Sequence, residues 1–579
     1  MKHIEDLETA LDIHWAQSDH LRVDPFRRLT GPSQLWDRAG AIVDVHCQGI
    51  APALLVSVWE THARRVLDGL GWQHEHLVSR VFQGGVSLAI SAPPDQLYAA
   101  VFACQTAWHL CAADVLNQTA NPFDKMISDV RHVMAQEANP AMIALIQAAA
   151  AHDVDILWDA DAVSLGHGTG SRTWPVARLP APDAVDWAAL HDVPFAFITG
   201  TNGKTTTTRL CAAIMRCAGN VVGQSSTDMV KVGDTVLDRG DYAGPGGARL
   251  VLRDSRVDVA CLEVARGGIM RRGLATRRAR VAVVTNIAAD HLGEYGIATL
   301  ADLTQAKFAV ARGLLPDGAL VLNADDPNVV DAADDVSASI CWFSLACGAP
   351  QIVQAQKMGH PCAYLKNADL VFFDGATEAL TIAVKDVPIT LDGAARHNIH
   401  NALAAVCTCL ALGAPMQAVR TGLCNFISDP DSNPGRFNEF TYNGAKIIVD
   451  FAHNAHSIAA VCKAMAAMPA QRRFLMLSQP GDHCDQVIND VTTTALVFGP
   501  DRVVIAEIAD YLRGRDIGDV PDKIMASAIA AGYPAECISH ARSPSSGAKM
   551  VLKSVKPGDL VLLLVLSDRD AVFAALSGC

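Results

Sequence analysis

The stretch Phe197-Ile198-Thr199-Gly200-Thr201-Asn202-Gly203-Lys204-Thr205-Thr206-Thr207 decides the fold. The apolar run before it reads as a buried strand over 195–199. A glycine-bounded turn follows, and Lys204-Thr205 opens a helix expected over 205–218. Glycines let backbone N–H groups close on phosphate oxygens. The helix N-terminus adds partial positive charge, and Lys204 places an ammonium near the outer phosphates. Gly200, Thr201, Asn202, Gly203, Lys204, Thr205 and Thr206 are therefore candidate nucleotide-binding residues, and the Thr205 hydroxyl is a candidate Mg²⁺ ligand. The general pattern G-x-x-x-x-G-K-[ST] is not met literally, because Ile198 stands where its first glycine would be. A glycine turn without a ligand is the plain alternative; the strand before and the helix after weigh against it.

Outward from this turn, strand-like runs at 257–263, 281–286 and 319–323 alternate with helix-like stretches at 300–314 and 398–412. Such alternation argues for an α/β domain with a mostly parallel sheet, helices on both faces and ligands at the carboxyl ends of the strands. The hinge-like Ser428-Asp429-Pro430-Asp431-Ser432-Asn433-Pro434-Gly435 comes next. Beyond it the alternation resumes, with strands at 446–450, 473–477, 502–506 and 559–566 and helices near 457–467 and 521–531. This reads as a smaller, Rossmann-like α/β domain. Toward the N-terminus, a strand-like run at 41–46 and helix-like runs at 97–113 and 140–152 give way to a Gly- and Pro-rich loop at 166–182. The domains expected are 1–190 (α+β, with linker), 191–427 and 428–579.

Composition agrees with a multi-domain globular chain. At about 150 residues per domain, 579 residues suggest three or four domains, and 50% apolar content excludes wholesale disorder. The net charge of −14 makes a general nucleic-acid binder a poor reading, though it leaves room for a local phosphate site. The apolar runs at 141–151 and 560–566 are too short to span a bilayer. The start, Met1-Lys2-His3-Ile4-Glu5-Asp6, lacks the apolar core of a signal peptide. The 16 cysteines are scattered without a C-x-x-C pair, and most read as small buried hydrophobes in a reducing, cytoplasmic setting.

The loop variant resembles that of the Mur ligase superfamily, which includes the peptidoglycan amino-acid ligases, folylpolyglutamate synthase and the ligase half of cyanophycin synthetase. The resemblance to the cyanophycin synthetase family extends through Ser226-Thr227-Asp228, Gly240-Asp241-Tyr242-Ala243-Gly244-Pro245-Gly246 and Leu262-Glu263-Val264-Ala265-Arg266-Gly267-Gly268-Ile269. It continues in Asn286-Ile287-Ala288-Ala289-Asp290-His291-Leu292-Gly293, Leu322-Asn323-Ala324-Asp325-Asp326-Pro327 and Gly435-Arg436-Phe437-Asn438. Val449-Asp450-Phe451-Ala452-His453-Asn454 and Leu512-Arg513-Gly514-Arg515 complete it. Leu29-Thr30-Gly31-Pro32-Ser33-Gln34-Leu35-Trp36 is similar to the start of that family's N-terminal domain, and 139–168 to the opening of its ATP-grasp module. Between residues 168 and 199 only a linker fits, so the resemblance implies that the ATP-grasp module is absent and that Mur-type chemistry alone is kept.

In that chemistry a carboxylate attacks the γ-phosphate of ATP to give an acyl phosphate, which an amine then displaces. Mg²⁺ ions and cationic side chains offset the repulsion between carboxylate and triphosphate. Glu263 ends an apolar run, so its carboxylate is expected at a strand edge beside the turn, where a hard oxygen suits Mg²⁺; an exposed strand-end acid is the bland alternative. The resemblance makes His291 a second Mg²⁺ ligand, which spacing alone does not suggest. It implies a carbamylated Lys307, which requires a neutral amine and hence a pKa well below about 10.4; an ordinary solvated helix lysine is the alternative. It assigns Asn398 and Asn401 to adenosine, Arg436 to phosphate, and Asp450 and His453 to ribose and nucleotide, with closure of the last domain completing the site. Lys204, His291, Lys307 and Arg436 form the expected catalytic set.

Asn286 is a candidate substrate or metal-shell contact. Asp482, Arg513 and Arg515 are candidates for the amino-acid substrate, an arginine clamping its carboxylate bidentately; a surface basic turn is the alternative. His483 and Cys484 stand where the synthetases carry arginines, and Ala455-His456 follows Asn454 where the family more usually has proline. The amino acid therefore stays open. The function expected is an ATP- and Mg²⁺-dependent ligase acting on an amino acid and a small-molecule or peptide carboxylate, with no nucleic-acid or membrane partner and self-association left open. A glutamate ligase that elongates a cofactor tail is one alternative. A degenerate ATP-binding scaffold is another, against which Lys204, Thr205, Glu263, His291 and Arg436 argue.

Overall fold

The computed structural model describes residues 18–290, 292–466 and 468–577. They form two compact units. The first holds residues up to 287 together with 292–342 and 407–415; the second holds 288–291, 343–406 and 416 onward.

The first unit begins with an antiparallel sheet. Strands β1 (Leu21–Val23), β2 (Arg27–Leu29), β3 (Gly40–Cys47), β4 (Leu77–Phe82) and β5 (Gly85–Ser91) run in the order β1-β3-β5-β4, with β2 also paired to β3. Helices α1 (Pro52–Leu70), α2 (Leu97–Val115) and α3 (Phe123–Glu137) cover one face. Val43, Val45, Leu88 and Ile90 from alternating strand positions there meet Trp59, Leu67, Trp108 and Val130. Pro140 at the first position of α4 (Pro140–Ala151) and Asn139, whose side chain accepts from Met142 N, start the next helix. A small meander follows, of β6 (Ile156–Trp158), β7 (Ala162–Leu165) and β8 (Arg172–Pro175).

The rest of this unit is the α/β layer foreseen around the turn. Its elements are β9 (Phe195–Thr199), α5 (Lys204–Cys217), β10 (Val222–Ser225), β11 (Met229–Val232), β12 (Thr235–Arg239) and α6 (Pro245–Leu252), then β13 (Val259–Glu263), α7 (Arg266–Arg272), β14 (Ala279–Val284), α8 (Leu300–Phe308), β15 (Leu314–Asn323) and α9 (Pro327–Ala333). The strands lie in the order β12-β11-β10-β13-β9-β14-β15. From β10 to β15 they are parallel; β11 and β12 form an antiparallel edge. Every residue of β9 and β13 is buried, as strands covered on both faces require. The helix expected over 300–314 ends at Phe308 and tightens into a 3₁₀ turn over Ala309–Gly313.

The division between units falls within β16 (Ser339–Ser344). The second unit has α10 (Pro350–Met358) and the antiparallel β17 (Cys362–Lys366), β18 (Asp369–Phe373) and β19 (Glu378–Ala383), none of which the sequence pattern had marked. Helix α11 (Arg396–Ala411), counted in this unit up to residue 406, and helix α12 (Met416–Asn425) follow. Then come β20 (Asn438–Tyr442), β21 (Ala445–Asp450), α13 (Ala455–Met465), β22 (Arg473–Leu477), α14 (Asp485–Leu496), β23 (Arg502–Ala506), α15 (Asp519–Ala530), β24 (Ile538–Ala541), α16 (Pro544–Leu552), β25 (Leu560–Leu564) and α17 (Arg569–Ser577). The sheet order is β20-β21-β25-β22-β23-β24, parallel apart from β20. Apolar residues of α13, α14 and α15 line one face and those of α16 and α17 the other. The expected end of the helix at 457–467 lies outside the described residues. No described helix is long and apolar enough to cross a membrane.

Candidate functional site

In the first unit, three strand ends converge on the glycine turn. Glu263 of β13 pairs with Ile198 of β9, and Val284 of β14 pairs with Thr199. Gly203 caps α5 in the left-handed region (φ 83°). Gly200 has φ 146°, and a methyl there would lie 1.9 Å from Thr285 Oγ1, so no larger residue fits beneath the turn.

The turn is held by its neighbours. Asn286 uses both ends of its amide: Nδ2 donates to Asn202 O and Oδ1 accepts from Asn202 N, each at 2.9 Å. Thr285 Oγ1 donates to Asn202 O at 2.7 Å, and Thr201 N to Asn286 O at 2.8 Å. Asn286, foreseen as a substrate or metal-shell contact, thus braces the turn. Lys204 Nζ donates to Thr201 O at 2.9 Å, and Thr205 and Thr206 are buried in the first turn of α5.

Glu263 is 1% exposed, which sets aside the exposed strand-end acid. Its Oε1 accepts from Thr227 Oγ1 at 2.7 Å and its Oε2 from Thr227 N at 3.3 Å. Asp228, the next residue, forms an ion pair with Arg209 of α5 at 2.6 Å. The carboxylate is therefore aimed by Ser226-Thr227-Asp228, a segment the resemblance singled out without a role. Lys307 is 3% exposed and its Nζ donates to Gly200 O at 2.7 Å, so it is not a solvated helix lysine. His291 lies outside the described residues, and among those described no cluster of three His, Cys, Asp or Glu side chains is placed to hold a metal. The buried carboxylate of Glu263 and the hydroxyl of Thr205 are hard oxygen donors, a set that fits Mg²⁺.

In the second unit, the parallel sheet ends in a second group of loops. Asp450 closes β21 and holds the backbone there: Oδ1 accepts from Ala452 N and Oδ2 from Phe437 N, both at 2.7 Å. Burial pushes its carboxyl above the usual range, opposed by Arg436 and these N–H groups. The Arg436 guanidinium lies 4.4 Å from the centre of the Phe451 ring. His453 Nδ1 is 3.0 Å from Phe451 O. On α11, Asn401 Nδ2 donates to Asn398 Oδ1 at 3.1 Å, and Asn398 Nδ2 to Ile389 O at 3.0 Å. Beside them, burial and the nearby His400 and His456 hold the His397 imidazole down to about 4.

The loop after β22 and the loop after β23 are joined. Gly481 N donates to Tyr511 O at 2.8 Å, and a methyl on Gly481 would lie 1.9 Å from Leu512 O. Arg515 donates to Gly481 O (2.8 Å), His483 O (2.7 Å), Asp519 Oδ2 (2.7 Å) and Asp485 Oδ1 (2.9 Å). With four of its five N–H groups on protein acceptors, Arg515 staples the loops. Arg513, 45% exposed, pairs with Asp482 and has φ 45°. His483 is buried and its Nδ1 meets Gln479 Oε1 at 2.7 Å.

Comparison with known proteins accords with this geometry. Residues 198–409 match the Mur ligase middle domain and residues 435–564 the Mur ligase, glutamate ligase domain. The cyanophycin synthetase of Geminocystis herdmanii is 36% identical over 381 residues, 66% of this chain and 43% of that protein. That of Synechocystis is 37% identical over 334 residues, 58% of this chain and 38% of that protein. The chain thus spans less than half the length of these relatives. The solved bifunctional folylpolyglutamate synthase/dihydrofolate synthase of Yersinia pestis aligns with a TM-score of 0.49 at 17% identity, over 67% of this chain and 89% of that one. With the two domain models matching in order around the turn and the loops just described, this chain carries the middle and C-terminal domains of the Mur ligase family.

Proposed function

We propose that the chain is an ATP-dependent amide ligase, requiring Mg²⁺, that joins an amino acid to a carboxylate. The observation that carries this reading is the meeting, within one unit, of the Lys204 turn, the buried Glu263 carboxylate and the buried Lys307 amine. The substrate carboxylate attacks the γ-phosphorus of ATP; the bond to the β,γ-bridging oxygen breaks and ADP leaves. A neutral amine then attacks the carbonyl carbon of the acyl phosphate, the C–O bond to phosphate breaks, and the amine's proton is released. Backbone N–H groups of the turn and Lys204 bind the β- and γ-phosphates. Glu263 and Thr205, with His291 as the family resemblance implies, would hold Mg²⁺, which would supply charge neutralisation for the transfer. Asn286 and Thr285 keep the turn in shape before nucleotide arrives. Carbamylation of Lys307, by analogy with the family, would turn a cation beside Gly200 into an anion. Asn398, Asn401, Arg436, Asp450 and His453 serve the nucleotide, and Asp482 and Arg513 the amino acid.

The test is product mass spectrometry after incubation with ATP, Mg²⁺, the twenty amino acids and a cell extract, alongside ADP and phosphate release. Amide product and ADP from wild type, lost in Lys204→Ala, are expected. No ADP from a broad panel, with Lys204→Ala behaving as wild type, overturns the reading. The description of the matched C-terminal domain as a glutamate ligase favours glutamate as the amine in a second version, which a glutamyl-extended product would select.

A further inference from the structure

Residues of the N-terminal sheet have no part in the chemistry above, yet they grip two segments that lead away from it. Arg80 on β4 has a side chain only 13% exposed. Its Nη1 donates to Asp302 Oδ1 and its Nη2 to Gly296 O, each at 2.7 Å. Asp302 divides its carboxylate: Oδ2 accepts from Thr299 N (2.9 Å), Thr299 Oγ1 (2.8 Å) and Ala298 N (3.1 Å), forming the capping box of α8. Lys307, on the same helix, reaches Gly200 O. Nearby, Arg27, itself paired with the buried Asp44 at 2.5 Å, lies 4.9 Å from the centre of the Tyr295 ring. Tyr295 has φ 54°, a conformation that persists only where its surroundings impose it.

The second grip lies on α7, which begins just after Glu263. Thr30 N donates to Arg272 O at 2.8 Å and Leu274 N to Pro32 O at 2.7 Å. Adhesion between layers needs no buried guanidinium. Desolvating one is costly, and Arg80 Nε is buried without a hydrogen-bond partner. What two directed contacts at 2.7 Å give that apolar packing does not is a fixed position for a loop, and a 1 Å misplacement near reacting groups can cost about a hundredfold in rate.

We propose that Arg80 is a positioning residue: through Asp302 and Gly296 it fixes the segment 294–302, and thereby Lys307, against the nucleotide turn. The inference rests on the ligase reading above. It gives the N-terminal sheet a function as the outer support of the catalytic layer.

The test uses the full chain and two readouts: amide hydrogen exchange without ligand, and the Mg²⁺ concentration giving half of the thermal shift caused by the ATP analogue AMPPNP. In Arg80→Ala, exchange over 294–308 rises about tenfold while β3 and β5 keep their protection, and the Mg²⁺ requirement rises about tenfold, the lower end of what residues orienting metal ligands cost. Arg80→Lys, which keeps a cation for Asp302, recovers part of both. Wild-type protection at 294–308 in Arg80→Ala overturns the proposal. So does looser exchange there with no change in Mg²⁺ requirement. If Arg80→Ala also loosens β3 and β5, Arg80→Lys decides: loosening confined to 294–308 supports the proposal and wild-type protection refutes it. Should wild type give no AMPPNP response while Lys204→Ala matches it, the ligase reading fails, and exchange at 294–308 still reports whether Arg80 fixes the segment.

Discussion

The turn at 199–204 and the paired loops at 479–485 and 511–519 both close the carboxyl end of a parallel sheet, but they use their side chains in opposite ways. At the turn, Asn286 and Thr285 come from the neighbouring strand end and hold the backbone of Asn202. The Lys204 ammonium then donates to Thr201 O and keeps donors for a ligand. At the loops the cations themselves are the fasteners, since Arg515 binds both loops and Arg513 is engaged by Asp482. A site for a constant group, phosphate, can be braced from outside. The loops are instead held by the same side chains that line them.

The largest effect that would sharpen this contrast is at the turn. Lys204→Ala is expected to weaken ATP binding about a hundredfold while leaving the melting temperature nearly unchanged, as isothermal calorimetry and a thermal scan would show. An unchanged affinity breaks the comparison. At the loops the order reverses. Arg515→Ala is expected to cost about 2 kcal/mol of stability, since two backbone carbonyls lose a charged donor, whereas Arg513→Ala, removing a half-exposed pair, costs under about 1 kcal/mol. Urea titration of both variants checks this; equal losses would mean that Arg515 is no staple.

The smallest effect separates the units by pH. His397 in the second unit has its pKa lowered from 6.5 to about 4. The unfolded chain therefore binds more protons in that window, and the stability it contributes is present above pH 6.5 and lost as pH falls toward 4. Glu137 in the first unit has its pKa raised from 4.5 to about 7 by burial, against the N–H groups of Tyr98 and Ala99. Here the folded state binds the extra proton, so stability is present below pH 4.5 and lost as pH rises toward 7. Between pH 5 and 7 the two contributions change in opposite directions by about 2 kcal/mol each, so calorimetry of the wild type is expected to show little net change. His397→Gln flattens one trend and Glu137→Gln the other.

Much of the architecture was legible because buried parallel strands are short apolar runs bounded by turns. The strands at 195–199, 473–477 and 502–506 fall where the pattern puts them. The hairpin β11–β12 and the meander β17–β19 were not, because their exposed or mixed faces break the alternation: every residue of β12 is exposed. At the turn, Gly200, Gly203 and Lys204 were legible from backbone demands alone. Thr227, Thr285 and Arg80 were not, because each acts by holding another group, and nothing local in Thr227 says that Glu263 lies across the sheet edge. The bonds made by Asn286 and Arg515 were likewise invisible, since an amide or guanidinium looks the same in sequence whether it meets a ligand or its own backbone.

Gly481 passes so close under the Leu512 carbonyl that even a methyl group is excluded, and this makes two stretches of sequence about thirty residues apart dependent on each other's shape. Exchanging one loop for that of a relative would leave the other resting on the wrong surface. On the proposed assignment of these loops to the amine, an attempt to redirect the chain toward a different one must transplant 479–485 and 511–519 together, and drift in one is expected to travel with drift in the other.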